Sequence, residues 1–309
     1  MAGQVVNGKG FEWAMGTALE HVFQIKIVES SASLVCQDCF NQLSTEKKNH
    51  CMLNAEIAAY HIQEMEPQLA SSTAVSFQED NKGQSGDVRD LIIEYPGGEL
   101  GISCKSNHSA LKHSRLSDSI DFVRQWGLSE NGCSPVYWDA IRPTFANLRE
   151  LKSQGVLWSE MPIEEKKNVY WRVLDAFALE LQSVVNSDKP DLGENLIKYL
   201  IGQQDFYKVI SRPKQVEIFG FNFFNTLNLP KLQLPKQILA IDNKNGGQYS
   251  KTVRFSNGFT VNFRIHNAEK VVSPSLKFDI KALAWPEKLH RQIILQRQQA
   301  TSRSSVVRI

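Results

Sequence analysis

The chain lacks both kinds of apolar segment that send a protein into a membrane or out of the cell. Within its 309 residues, no apolar run approaches the ~18 residues that a membrane helix needs. The N-terminus, Met-Ala-Gly-Gln-Val-Val-Asn-Gly-Lys-Gly, has no apolar core of the kind that signal peptides carry. We therefore expect a protein of the cytoplasm that does not associate with a membrane.

Cysteine is also scarce. The five cysteines are Cys36, Cys39, Cys51, Cys104 and Cys133. An odd number without a secretory signal favours reduced thiols in the cytoplasm. Cys36 and Cys39 have the spacing of a zinc-binding pair, and His50 with Cys51 could supply two more ligands. Because the second pair is adjacent in sequence, unlike the pairs of an ordinary zinc site, we favour plain thiols.

Several sequence motifs are absent, and each absence excludes a class of enzyme. There is no Gly-x4-Gly-Lys-Ser/Thr loop, so nucleotide hydrolysis is not expected. There is neither a Gly-rich cofactor loop nor a Pro-Cys nucleophile motif, which argues against a DNA methyltransferase. Internal repeats and low-complexity segments are missing as well.

The net charge of +2, from 35 basic and 33 acidic residues, gives no general sign of nucleic-acid binding. The charge is nevertheless unevenly distributed, because no acidic residue follows Glu287. The basic residues after it are Lys288, Arg291, Arg297, Arg303 and Arg308. Such a tail suits a polyanion, but it is also typical of a solvated, disordered segment, which is the interpretation we prefer.

Apolar periodicity predicts an α/β protein with three parts. We expect helices over residues 10–27, 55–68, 164–187 and 194–208, and a helix carrying Ile120 that Ser117 or Asp118 would cap. From Val216 onward the pattern becomes extended. We therefore expect a core over residues 1–215, a β-rich portion over 216–285 and a basic tail over 286–309.

Residues 86–115 contain the clearest strand pattern in the chain. An apolar run, a Pro-Gly-Gly turn and a second alternating run predict a β-hairpin. With Pro96–Glu99 as a four-residue loop, Tyr95 pairs with Leu100. The polar lead-in over residues 78–85 precedes this hairpin.

The same register brings two charged residues together at one end of the hairpin. It pairs Leu91 with Cys104 and sets Asp90 opposite Lys105, at a Cβ separation of roughly 5 Å. A carboxylate that can hold a divalent cation beside a lysine is typical of metal-dependent phosphodiester hydrolysis. The alternative is an exposed ion pair, which is common and stabilises little.

A metal ion needs more than one oxygen ligand, and three residues are candidates for the second. Ser103 shares the face of Lys105, which we expect to be open, but a hydroxyl is a weak ligand. Asp87 could ligate only if the chain bends. Glu12 could reach the hairpin if the N-terminal helix packs on it; otherwise it favours the helix dipole.

Polar and basic residues follow the hairpin directly and suit DNA. They are Asn107, His108, Lys112, His113 and Arg115. A second hairpin is predicted around Ser256-Asn-Gly258, pairing Val253 with Val261. Its polar face carries Arg254, Arg264 and His266.

Several segments together resemble the HaeIII-type restriction endonucleases. They are Gly-Asp-Val-Arg-Asp (86–90), Gly-Ile-Ser-Cys-Lys-Ser-Asn-His-Ser-Ala-Leu-Lys-His-Ser-Arg-Leu-Ser (101–117), Tyr-Leu-Ile-Gly-Gln-Gln-Asp-Phe-Tyr-Lys (199–208), Phe-Arg-Ile-His-Asn-Ala (263–268) and Pro-Ser-Leu-Lys-Phe-Asp (274–279). The resemblance spans most of residues 8–285. It implies a type II restriction enzyme that uses Mg2+ to cut the DNA palindrome GGCC to blunt ends.

The resemblance also implies a PD-(D/E)xK nuclease core, a mixed sheet flanked by helices. Asp90 matches the first acidic position of that motif and Lys105 its lysine, whereas Ser103 replaces the second acid. Glu12 or Asp87 would then complete the metal site. The expected guanine readers or phosphate contacts are Arg115, Arg212, Arg254 and Arg264, supported by Lys112, His266 and Asn267.

Two further expectations depend on the resemblance. A methyltransferase of the same specificity should protect the host DNA. The palindrome favours a homodimer, although a monomer could nick each strand in turn. The alternatives are a structure-selective repair nuclease and a DNA-binding protein whose nuclease site has decayed at Ser103.

Overall fold

The computed structural model of this protein describes residues 2–79, 87–187, 189–243 and 249–296. The chain forms two compact units, each assembled from separate stretches. The first unit comprises Met1–Ser109, Gly202–Leu232 and Lys288–Ile309, and the second comprises Ala110–Ile201 and Gln233–Glu287. The sequence predicts a boundary at residue 215. The units instead interleave along the chain, because residues 110–201 belong to the second unit and residues 202–232 to the first.

Helices and strands alternate irregularly along the chain. The helices are α1 (Ala2–Phe23), α2 (Ser31–Asn41), α3 (Thr45–Met65), α4 (Phe122–Gln125), α5 (Pro135–Ser153), α6 (Ile163–Asn186) and α7 (Leu192–Ile201). The strands are β1 (Lys26–Ile27), β2 (Ala74–Phe77), β3 (Leu91–Tyr95), β4 (Gly98–Ser106), β5 (Arg115–Leu116), β6 (Phe206–Ser211), β7 (Gln215–Phe221), β8 (Ile238–Asn243), β9 (Ser250–Phe255), β10 (Thr260–His266), β11 (Leu276–Ala284) and β12 (His290–Leu295). Short 3-10 turns lie at Pro67–Ser71 and Trp158–Glu160.

The first unit is built on a mixed seven-stranded sheet of order β1-β2-β3-β4-β6-β7-β12. β1 with β2 and β4 with β6 are parallel pairs, and the other neighbours are antiparallel. The last strand, His290–Leu295, lies within the stretch expected as a basic tail. Arg297, Arg303 and Arg308 lie outside the described residues, as do residues 80–86 before the hairpin.

Helix α1 packs against α2, α3 and the sheet. It begins earlier than the expected residue 10 and ends at Phe23, because Gln24 turns into the left-handed region with φ +55°. Phe11, Met15 and Leu19 recur at helical spacing, and all three are fully buried. No helix in the described part of the chain is long and apolar enough to cross a membrane.

The β3–β4 hairpin forms as predicted, but with a different register. Tyr95 pairs with Gly98 and Leu91 with Ile102, so the turn is two residues shorter than expected. Gly98 has φ +149°, which allows the second strand to begin directly after the turn. The shift by two keeps every side chain on its expected face.

The second unit contains an antiparallel sheet of order β5-β11-β10-β9-β8. Its core includes Phe177, whose ring lies 5.0 Å from that of Phe278 and 5.4 Å from that of Phe263. The hairpin predicted around Gly258 is confirmed, since Val253 pairs with Val261 and Gly258 has φ +90°.

The helix expected over residues 164–187 is confirmed as α6, whereas two other helix predictions were wrong. Asp121, rather than Ser117 or Asp118, caps α4, because its Oδ1 accepts the backbone N–H of Arg124 at 3.0 Å. The helix expected over residues 194–208 ends at Ile201, since Gly202 has φ +125° and the strand β6 follows.

Candidate active site

Asp90 lies at the entrance of β3, where backbone hydrogen bonds to both sides fix it. Its N–H donates to the carbonyl of Ile102 at 2.8 Å, and its carbonyl accepts from Gln78 at 2.9 Å. Continuing the observed register places Ser103, rather than Lys105, opposite Asp90. The expected direct pairing of Asp90 with Lys105 was therefore wrong in register.

The two side chains nevertheless meet, because the long lysine side chain reaches back along the strand. Lys105 Nζ lies 3.1 Å from Asp90 Oδ2. The same oxygen accepts the Ser103 hydroxyl at 3.2 Å and the Cys104 N–H at 2.6 Å. Burial acts to lower the pKa of Lys105, but the charge and hydrogen bond of Asp90, together with the charge of Glu12, outweigh it, so the pKa is raised and the ammonium is retained.

Glu12 projects from α1 and is only 7% exposed. Its Oε2 accepts from Lys9 Nζ at 2.9 Å and from the Cys36 thiol at 3.4 Å. Burial, and next the negative charge of Asp90, raise the pKa of Glu12 to about 7. The carboxylates of Asp90 and Glu12 therefore disfavour each other's ionisation. A hard divalent cation prefers carboxylate oxygens as ligands, and its charge would offset this repulsion. The residues present therefore fit Mg2+.

Asp87 has a different set of contacts. Its two carboxylate oxygens accept from Arg89 at 2.8 and 2.7 Å, and Gln78 donates at 2.9 Å. Burial acts to raise the pKa of Asp87, but these hydrogen bonds outweigh it and lower the pKa. Arg89 also pairs with Glu99 at 2.7 Å, so it ties the segment before Asp90 to β4.

Gly101 makes room for this arginine. A Cβ atom at Gly101 would lie 1.9 Å from the Arg89 Cδ atom. The arginine side chain thus crosses β4 where the strand has no side chain of its own. This close packing fixes the residue that precedes Asp90.

In the second unit, polar residues line one face of the five-stranded sheet, which we call the basic sheet face. Direct cross-strand partners project to the same side, and Arg264 pairs with Asp279 while His266 and Arg115 both pair with Lys277. The basic members of this face are Arg115, Arg254, Arg264, His266, Lys277 and Lys281, and the acidic members are Asp242 and Asp279. Burial lowers the pKa of His266.

The profile of the HaeIII restriction endonuclease family matches residues 8–286. This chain belongs to that family. The type II restriction enzyme HaeIII of Haemophilus aegyptius is 33% identical, over 91% of this chain and 94% of that enzyme. The resemblance noted in the sequence is thus confirmed, and the protein is a type II restriction endonuclease. No solved structure matches it.

Some residues expected to bind DNA in this endonuclease make contacts within their own unit. Lys112 Nζ donates to the carbonyl of Tyr199 at 2.9 Å and lies 3.9 Å from its ring centroid. Burial lowers the pKa of Lys112 to about 8. Asn267 Nδ2 donates to the carbonyl of Glu269 at 2.5 Å, and its Oδ1 accepts from Ser273. These contacts organise the second unit.

Four further candidates sit at strand ends or on the surface. Asn107 directly follows β4 with φ +55° and donates its N–H to the carbonyl of Ser211, and His108 is the next residue. Arg212 Nε donates to Glu217 at 2.9 Å. His113 Nδ1 lies 3.9 Å from Asp279, on the exposed side of the second unit.

The endonuclease holds its cysteines as free thiols. Cys36 donates to Glu12, and burial, followed by the Glu12 charge, raises the pKa of its thiol. Burial raises the pKa of Cys51 to about 11. Both groups therefore stay protonated at neutral pH.

Lys208 is a buried charged residue of the first unit that the sequence interpretation missed, as it missed Lys9 and Arg89. It is 4% exposed, and burial, followed by the charge of Lys105, lowers its pKa to about 7. The sequence contained a signal, because a single lysine interrupts the apolar run Phe-Tyr-Lys-Val-Ile of a strand. Assigning residues 194–208 to one helix obscured that signal.

Proposed function

We propose that this endonuclease hydrolyses phosphodiester bonds in duplex DNA at the palindrome GGCC, leaving blunt ends, with Mg2+ as cofactor. The observation that carries the proposal is the contact of Asp90 with Lys105 beside the buried carboxylate of Glu12. Family membership and 33% identity to the HaeIII enzyme support the specificity.

Asp90 and Glu12 would hold the metal ion. When bound, Mg2+ would polarise the scissile phosphate and acidify the attacking water. Lys105 keeps its charge through Asp90, and it would orient that water and stabilise negative charge on the phosphate. Because its pKa is about 7, Glu12 is only partly ionised at neutral pH, and a bound cation would favour its ionised form.

Ser103 stands where the PD-(D/E)xK motif has its second acid. It is 2% exposed, and its hydroxyl donates to Asp90 rather than offering a carboxylate. We therefore assign the second carboxylate to Glu12, and Ser103 orients Asp90. The mixed order of β2, β3, β4 and β6 with α1 packed on it supports a PD-(D/E)xK core.

DNA recognition is proposed for the basic sheet face. Arg264 and Arg254 are both exposed on it, and arginine is the commonest reader of guanine O6 and N7. Arg115 and Arg212 remain candidates for phosphate contacts, with Asn107, His108 and His113. A palindromic site favours a two-fold homodimer.

The proposal places the enzyme in the cytoplasm, with a methyltransferase of the same specificity. Unprotected GGCC sites in the host chromosome would otherwise be substrates. The intact hydrogen bonds of Asp90 favour an active nuclease over a decayed one.

The test is digestion of unmethylated plasmid with Mg2+, followed by sequencing of the fragment ends. We expect blunt ends between the GG and CC of every site, and no cutting by Asp90→Asn or Lys105→Met. Lys167→Met, which changes a lysine of α6 in the second unit, serves as the control for the lysine. Ends at unrelated sequences would instead indicate a structure-selective nuclease, and DNA binding without cutting by the wild type would indicate a decayed site.

A further inference from the structure

Asn262 lies on the basic sheet face, between the two exposed arginines that we propose as guanine readers. Arg264 is two residues further along β10, and side chains two residues apart in a strand project to the same side. Arg254 is two residues from Thr252, which is the cross-strand partner of Asn262 on β9. The asparagine and both arginines therefore share one face.

The amide of Asn262 is held by its nitrogen. The residue is 7% exposed, and its Nδ2 donates to the backbone carbonyl of Lys251 at 3.3 Å. A backbone carbonyl only accepts hydrogen bonds, so this contact fixes which end of the amide faces β9. Among the residues that the structure describes, none donates to Oδ1, and Oδ1 keeps some contact with solvent. Asn262 thus offers one open acceptor.

The two acids of this face are less suited to accept from DNA. Asp242 pairs with Arg254 at 3.0 Å, and Asp279 pairs with Lys281 at 3.1 Å. Their negative charges would also repel the phosphates of DNA, whereas an amide oxygen is neutral. Asn262 is therefore the acceptor on this face that best suits a DNA base.

Duplex DNA offers few donors to such an acceptor. The phosphate oxygens only accept, and the donors in the major groove are N4 of cytosine and N6 of adenine. The palindrome GGCC contains no adenine. A G·C pair presents O6 and N7 of guanine as acceptors beside the N4 donor of cytosine, so an arginine and an amide oxygen on one face match its pattern.

We propose that Asn262 is a specificity-determining residue, whose Oδ1 accepts a hydrogen bond from N4 of a cytosine in the recognition site. This inference rests on the proposed function, in which the basic sheet face binds the GGCC duplex. The contact adds the cytosine half of a G·C pair to the guanine contacts of Arg254 and Arg264. It also rejects thymine, because thymine would place its O4 acceptor against Oδ1.

The test is equilibrium binding of the full chain to a GGCC duplex, with Ca2+ in place of Mg2+ so that binding is measured apart from cleavage. Two further duplexes carry N4-methylcytosine at the first or at the second cytosine of each strand. This base keeps its Watson–Crick pair but replaces the N4–H that faces the major groove by a methyl group. We expect the wild type to bind one of them at least about tenfold more weakly than the unmodified duplex.

Asn262→Ala should bind the unmodified duplex about tenfold more weakly than the wild type does. It should bind both modified duplexes within about twofold of the unmodified one. Asn262→Val has no acceptor and suits a strand, so it should behave in the same way. Affinity for a scrambled duplex within about twofold of the wild type shows that the variants are folded.

The matched control is Thr252→Val at the cross-strand partner of Asn262. The Thr252 hydroxyl is buried and makes no hydrogen bond within the described part of the chain. Its removal should therefore leave both the affinity and the effect of N4-methylation unchanged.

The outcomes separate this inference from the function on which it rests. If the wild type binds GGCC no better than the scrambled duplex, the proposed function fails and the role of Asn262 fails with it. If the wild type selects GGCC but tolerates both modified duplexes, the role of Asn262 alone is refuted. The same holds if Asn262→Ala retains the full effect of N4-methylation.

Discussion

Asp90 and Lys105 form an ion pair at 3.1 Å although they are not cross-strand partners. The hairpin register sets Ser103 against Asp90, and the lysine reaches across from two residues further along. The arrangement gathers a lysine, a hydroxyl and a backbone N–H on one carboxylate oxygen. Asp90 is thereby held in one orientation while Lys105 stays charged.

Ser103 is expected to orient Asp90 without being essential. Ser103→Ala removes one hydrogen bond of 3.2 Å, which is worth about 1 kcal/mol. Single-turnover cleavage should therefore fall by no more than about tenfold, as measured beside Ser106→Ala, a serine at the end of the same strand. Complete loss of cleavage in Ser103→Ala would mean that the hydroxyl is itself a ligand or a catalytic group.

Gly101 is expected to be required for its lack of a side chain. Gly101→Ala places a methyl group on the Arg89 side chain and should destabilise the protein by about 1–3 kcal/mol. It should also slow cleavage, because Arg89 fixes the segment before Asp90. Urea unfolding and cleavage rates give the two measurements.

The control for Gly101 is Gly8→Ala in α1, where a Cβ atom would meet nothing within 4 Å. Alanine there should stabilise the helix by about 0.5–1 kcal/mol. Equal effects of the two substitutions would rule out the packing of Arg89 as the cause.

We expect Arg264 to contact the DNA, at either a guanine base or a phosphate. Arg264→Ala should weaken binding of the cognate duplex by about 1–3 kcal/mol if the arginine contacts a guanine, with a smaller effect on a scrambled duplex. If it contacts a phosphate, both duplexes should lose affinity equally. The control is Arg142→Ala, an exposed arginine of α5. Unchanged affinity for both duplexes would remove Arg264 from the interface.

The raised pKa of Glu12 predicts how the stability of the metal-free protein depends on pH. Its pKa rises from 4.5 to about 7 on folding, so between these values the folded state binds more protons than the unfolded state. The free energy of unfolding must then fall as the pH rises through that window. Glu12→Gln does not titrate, and in EDTA at pH 8 it should be more stable than the wild type by about 1–3 kcal/mol.

Urea unfolding of both proteins from pH 4.5 to 8 measures this difference. The difference in the free energy of unfolding should approach zero at pH 4.5, where the wild-type Glu12 carboxyl is protonated in the folded state. Adding Mg2+ at pH 8 should stabilise the wild type more than the variant. Parallel pH profiles would show that Glu12 ionises normally.

The sequence predicts the local features of this protein well where one pattern dominates. The two hairpins and the long helix α6 follow from alternation and helical periodicity. The predicted β3–β4 register was wrong because the sequence Pro-Gly-Gly-Glu allows turns of different length. The backbone conformation of Gly98 distinguishes between these turns.

The assembly of the site depends on long-range packing that local patterns do not encode. Glu12 comes near Asp90 because α1 packs on the sheet, and Lys208 stands beside Ser103 because β6 inserts parallel to β4. The sequence alone does not distinguish Asp87 from Glu12 as a ligand, whereas the structure does, because Arg89 occupies both carboxylate oxygens of Asp87. The interleaving of the two units along the chain leaves no composition signal.

Whether Asp90 and Glu12 together hold a metal ion is tested most directly by the Mg2+ dependence of GGCC cleavage. The experiment compares the wild type with Asp90→Asn, Glu12→Gln and Glu20→Gln, the last being the other glutamate of α1. We predict that Glu20→Gln matches the wild type, and that the Asp90 and Glu12 variants fail to cleave or need at least about tenfold more Mg2+. Cleavage by Glu12→Gln with the wild-type rate and Mg2+ dependence would show that Glu12 is not a metal ligand.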